Sequence, residues 1–165
     1  MIVLMTETVS TDHPKRLGHI SFKRSPNLVL KRADGGIYLK RWWLIPRNRF
    51  ANLYLHQFLG SDDDRALHDH PWWFFSWILK GEYIEHTPSD LPTRRTNQAL
   101  RERWSVAFRP AKSAHRVELF KEISTGREQP VWSIILTGPR HRRWGFYCPN
   151  GWTWWQDFDR NGGCE

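Results

Sequence analysis

The sequence predicts an all-β protein, an antiparallel sandwich or barrel folded as a single domain. Three observations carry this. Short β-rich runs recur at roughly ten-residue spacing, bounded by turn signals such as Ser25-Pro26-Asn27, Asp34-Gly35-Gly36 and Lys80-Gly81. Almost no stretch shows helical periodicity. Aromatic residues make up 15% of the chain, with 11 Trp, and large rings both fill a β interior and line ligand pockets. A length of 165 residues with 39% apolar content suits one core.

The elements follow in order. Residues 1–17 read as a flexible arm, polar with Thr, Ser, Asp and Pro. Candidate strands cover 18–23 (GHISFK), 27–32 (NLVLKR) and 37–45 (IYLKRWWLI), the last two forming a hairpin across Asp34-Gly35-Gly36. The next runs over 50–59, with Leu53, Leu55, Gln57 and Leu59 on one face and Tyr54, His56 and Phe58 on the other. An acidic turn, 60–67, leads into ALHDHPWWFFSWILKGEY, whose apolar run ends at Lys80-Gly81. EYIEHT returns with alternation. A polar loop over 88–103 follows, in which ALRERW offers a turn of helix. Short strands WSVAFRP and 115–120 come next, then an apolar strand PVWSIILTG with WGFYC as its expected partner. The barrel is placed over 18–160, closing in an aromatic C-terminal tail that serves as a lid or cap.

Charge and cysteine content bound the setting. Lys and Arg number 25 against 17 Asp and Glu, a formal charge of +8. The bases are scattered in small clusters such as Arg140–Arg143, so solubility explains them better than nucleic-acid contact. The two cysteines, Cys148 and Cys164, imply no disulfide framework, and a reducing, cytoplasmic compartment is expected. No apolar window is long enough for a membrane span, and the opening MIVLMTETVS does not read as a signal peptide.

The chemistry concentrates at His68 and His70. On a strand, residues i and i+2 project to one face, so this His-x-His can present two imidazoles to one cation. By the same alternation Trp72, Phe74, Ser76 and Ile78 share the face of His70, and Trp72, Phe74 and Ser76 are expected to line a cavity.

Together, His68-Asp69-His70…Gly81 and Pro110…His115 resemble the two-motif signature of the cupin superfamily. Gly81 stands where the first motif closes its hairpin, and His115 follows Pro110 at the spacing of the second. The resemblance implies a double-stranded β-helix, or jelly roll, with a metal in the barrel mouth held by His68, His70 and His115. This is a divergent member: the usual Glu of the first motif falls on Phe74 or Phe75, neither of which ligates. Glu82 and Glu118 are the remaining carboxylates within reach of the fourth position. Cupins with such sites hold iron(II), the first expectation here, or Zn, Ni or Mn.

The resulting expectation is a metal-dependent, non-haem oxygenase or dioxygenase acting on a small molecule. Three neutral imidazoles leave coordination positions open. His56 is a candidate general base, and Arg109 a candidate for orienting an anionic substrate, with ion pairing to Asp62–Asp64 the plainer account. Arg65 is a further anion-orienting candidate, His86 is expected at the surface, and Cys148 is expected as a structural thiol. The alternatives are a non-catalytic cupin that senses or stores a small ligand, and a basic accessory module contacting nucleic acid. Dimerisation is common among the proteins this chain resembles.

Overall fold

The computed structural model describes residues 25–32, 35–62, 66–89 and 96–164. The expected arm, the candidate strand over 18–23 and Arg65 lie outside these residues. The chain builds β1 (Leu28–Lys31), β2 (Ile37–Trp43), β3 (Asn52–Phe58), β4 (Leu67–His68), β5 (Phe74–Lys80), β6 (Tyr83–Pro88) and β7 (Thr96–Arg101). It continues with β8 (Val106–Arg109), β9 (Arg116–Leu119), β10 (Val131–Thr137), β11 (Gly145–Cys148), β12 (Gly151–Trp154) and a short helix α1 (Trp155–Asn161).

Three antiparallel sheets result. The largest has the order β1-β2-β3-β10-β5-β8, and the others are β7-β6-β9 and β12-β11-β4. Alternation in sequence becomes alternation in burial. Along β5, Phe74, Ser76 and Ile78 are buried while Phe75 and Trp77 face out. Along β10, Val131, Ser133, Ile135 and Thr137 are buried. The inward rings and aliphatics form two clusters. Ile78, Tyr83, Val117, Leu119 and Val131 join the large sheet to β6 and β9. Tyr54, Phe74 and Ile135, with Trp43 and Trp72 against them, fill the end nearer the histidines. Each fully buried side chain of this size contributes about 2 kcal/mol.

Gly81 makes the step from one sheet to the next. It sits at φ 81°, and a Cβ there would lie 2.8 Å from the Pro130 carbonyl oxygen. Conformation and space therefore both require glycine between β5 and β6.

Three local expectations are corrected. Ala99, Leu100 and Arg101, the first half of the segment read as a helical turn, lie in β7, which pairs along β6 from Tyr83↔Arg101 to Pro88↔Thr96. The good helix propensity of Ala, Leu and Arg yields there to strand pairing. The segment WGFYC does not pair with β10, whose neighbours are β3 and β5; it forms β11, between β12 and β4. Cys148 and Cys164 are joined in a disulfide across a Cα–Cα distance of 5.3 Å, not left as thiols. The link ties the end of α1 to β11, and Phe158 of α1 stacks on Phe146 with ring centroids 3.9 Å apart. Among the described residues no helix is long and apolar enough to cross a membrane.

Candidate metal centre

His68 ends β4, where the register pairs it with Phe146 of β11. Its other edge meets His115 through two backbone bonds of 2.9 Å, one in each direction. His70 lies two residues on, its amide donating to the Ala111 carbonyl at 3.1 Å. Two distant segments are thus locked together by main-chain hydrogen bonds before any side chain is considered. The imidazole centroids form a nearly equilateral triangle of 5.1 Å (His68–His70), 5.0 Å (His68–His115) and 5.1 Å (His70–His115). One ligand nitrogen from each lies within 4.8 Å of the others, and His70 Nε2 and His115 Nε2 face each other at 2.9 Å.

Burial keeps two of these rings, His68 and His70, neutral. Burial pushes His68 down to about 4, against the pull of nearby Asp62. Burial also holds His70 well below the ordinary histidine value, aided by His68, His115, Arg41 and His56. Neutral imidazoles carry the free lone pairs that a cation needs. Glu85 takes the next step. It is buried on β6, and its Oε1 lies 3.1 Å from His115 Nδ1. If Nδ1–H donates to that carboxylate, the lone pair of His115 is left on Nε2, aimed at the cluster. Burial alone would raise the Glu85 pKa. Hydrogen bonds from His115 and Arg109 outweigh it and hold the carboxyl at about 2. Arg101 Nε adds a bond to Glu85 at 2.7 Å and Arg109 Nε another at 3.0 Å.

Asp69, between the two ligands in sequence, points the opposite way. It is fully buried. It accepts from the Gly145 amide (2.8 Å) and Trp152 Nε1 (3.1 Å), and pairs with Arg142 at 2.7 Å. It fastens the His-x-His segment to β11 and β12. Glu85, Asp69 and Arg142 were not singled out by sequence reasoning. Glu85 did carry a signal, since it shares the inward face of its strand with Tyr83, and a charge there requires partners.

The other candidates separate. Phe74, where a Glu ligand is usual, packs its ring 4.9 Å from His70 and 5.5 Å from His115. Trp72, just before β5, packs on the apolar cluster of Tyr54, Phe74 and Ile135. Ser76 is buried but is hydrogen-bonded to Tyr83. Arg109 is committed to Glu85 through two of its nitrogens and not to Asp62, so its fork is not open to a substrate; Asp63 and Asp64 lie outside the described residues. His56 is buried, but its Nε2 accepts from Arg41 Nε at 2.7 Å, which engages the lone pair a general base would use. His86 is buried, not at the surface, bonded to Thr96 and Glu118 at 2.8 Å each. Glu118 is occupied there and by Arg116, and Glu82 is exposed, so neither completes the cluster.

Solved structures share this architecture. The FeII form of HppE superposes with a TM-score of 0.52 at 17% identity, over 79% of this chain and 63% of that one. The fold is a double-stranded β-helix. Fe(II)-HppE with an alternative substrate gives a TM-score of 0.47 at 19% identity, covering 67% of this chain and 54% of that one. An uncharacterized conserved protein with a double-stranded β-helix domain from Klebsiella pneumoniae gives 0.47 at 14%, over 70% and 89%. This chain thus spans less than two thirds of the HppE chains. No family model and no curated protein matches the sequence.

Proposed function

We propose that this cupin holds a divalent metal ion on His68, His70 and His115 and acts as a metal-dependent oxygenase on a small molecule, with iron(II) the first choice. The observation that carries the reading is the convergence of three imidazoles from two distant segments, with Glu85 placed to orient one of them. The donor set fits: all-nitrogen, partly or fully buried, and with no carboxylate among the described candidates. HppE, whose fold this chain shares, is a protein with an FeII form. When bound, a metal on three nitrogens supplies Lewis acidity and open positions for substrate and a co-reactant.

The chain's own residues do the rest. Glu85 holds the His115 ring, and Arg101 and Arg109 hold Glu85. Phe74 closes one side of the cluster against water. The test is metal content after purification without added metal, followed by oxygen uptake with candidate small molecules. The expectation is about one ion per chain, lost in both His68→Ala and His115→Ala. Retention in either variant removes the shared centre. A bound ion without oxygen uptake for any small molecule leaves a ligand-binding cupin in place of an enzyme.

A further inference from the structure

Next to the histidine triangle, the barrel interior holds a cation without a carboxylate. Arg41 on β2 shares its face with Leu39 and Trp43, and Trp43 packs on the Tyr54–Phe74–Ile135 cluster. The Arg41 guanidinium carbon lies 4.7 Å over the Tyr54 ring. Phe74, in that same cluster, is the residue packed on His70. Among the described residues Arg41 makes no ion pair, and its side-chain hydrogen bond goes to a neutral acceptor, His56 Nε2. Burial pushes the guanidinium pKa down, as expected for a charge taken from water without compensation.

Two more donors stand in the same row. Register places Arg41 opposite His56, and His56 opposite Ser133, on the adjacent strands β2, β3 and β10. His56 is 5% exposed and Ser133 1% exposed. His56 accepts at Nε2, so its proton sits on Nδ1. That atom and Ser133 Oγ are both buried without a hydrogen-bond partner. Orphaned buried polar atoms of this kind are rare and call for a ligand or ordered water. A guanidinium, an imidazole N–H and a hydroxyl in one row suit an anion.

We propose that Arg41, His56 Nδ1–H and the Ser133 hydroxyl form the binding cradle for an oxyanion group of the small molecule handled at the histidine triangle, so that its substrate is a small organic acid. The inference rests on the functional reading above for the word substrate, but the cradle is made by the chain alone. It therefore binds its anion with or without metal.

The experiment titrates the full chain, metal-loaded and metal-stripped, with propionate, ethylphosphonate and propionamide, following heat and tryptophan fluorescence. Propionate or ethylphosphonate binds both forms, and the tighter of the two tells a planar carboxylate from a tetrahedral phosphonate. Arg41→Gln weakens that binding at least about tenfold, and Ser133→Ala, a small change in a strand, by about threefold. Arg41→Lys restores part of the loss. Propionamide binding as tightly as both acids overturns the proposal. So does anion binding that vanishes when metal is stripped, which makes the metal the anion's ligand, or binding unchanged in both Arg41→Gln and Ser133→Ala. Metal content read on the same samples separates the two readings: anion binding that persists in protein unable to hold metal sinks the metal centre and leaves the cradle.

Discussion

Two buried carboxylates flank the histidines and do opposite work. Asp69 lies between two of the candidate ligands in sequence, yet it turns away from them to hold the β4–β11–β12 corner. Glu85 lies far from His68 and His70 in sequence, yet it meets His115 directly. One carboxylate serves the scaffold and the other the site. The difference follows from strand alternation, which sends Asp69 to the face opposite its neighbours and brings Glu85 inward across β6. The contrast predicts that the two corners fail in different ways.

The largest effect belongs to Asp69→Ala. It strands Arg142 and leaves the Gly145 amide and Trp152 Nε1 without their acceptor. Removing one partner of a buried ion pair costs about 3–5 kcal/mol. Denaturant unfolding of the metal-stripped protein measures it, and a loss below about 1 kcal/mol would show that the corner does not depend on this carboxylate. Asp69→Asn, which keeps one acceptor oxygen, falls between. The disulfide belongs to the same corner. Opening its loop, with a sequence separation of 16, by Cys148→Ser and Cys164→Ser removes about 3 kcal/mol in the chain-entropy account. The loss appears in unfolding without reductant and disappears with it, and metal content stays at the wild-type level. A fall in metal content would mean that the corner and the site are not separable.

Glu85→Gln reverses the pattern. The amide oxygen still accepts from His115 Nδ1, but the negative charge that favours the metal-binding ring is gone. Changes of this kind lower metal affinity about 10–100-fold. Competition with a chromophoric chelator reads the affinity directly. If Glu85→Gln binds metal as tightly as wild type, Glu85 is a structural partner of Arg101 and Arg109 and nothing more.

The strand faces were legible in the sequence because their signal is local. The period-two pattern of β5 puts Phe74, Ser76 and Ile78 on one face, and the structure buries all three. The histidine triangle was legible because two spacings, His-x-His and Pro110 to His115, mark it together. What escaped depends on register. Which inward residue of β6 meets which of β8 and β9 is set by pairings that no spacing encodes, so the sequence offers Arg109 a substrate or Asp62–Asp64 as partner and not Glu85. The row Arg41–His56–Ser133 is hidden for the same reason, being spread over three strands far apart in sequence. The disulfide escaped because a hairpin and a helix must form before its two cysteines meet.

The smallest expected effect sharpens the contrast within a single strand. Glu85 and His86 are neighbours on β6, and both are buried. Alternation sends Glu85 toward His115 and His86 to the other face, where Thr96 Oγ1 and Glu118 Oε2 hold its two ring nitrogens. His86→Gln keeps polar groups for both partners, so it costs about 1 kcal/mol or less in unfolding. Because its face does not look onto the triangle, metal affinity stays at the wild-type value. Adjacent substitutions then separate by readout: Glu85→Gln moves the chelator competition, and His86→Gln moves only the unfolding curve. If His86→Gln weakens metal binding as much as Glu85→Gln, the metal is held by the β6–β9 pairing as a whole, and the division of labour between two carboxylates gives way to a single rigid wall behind His115.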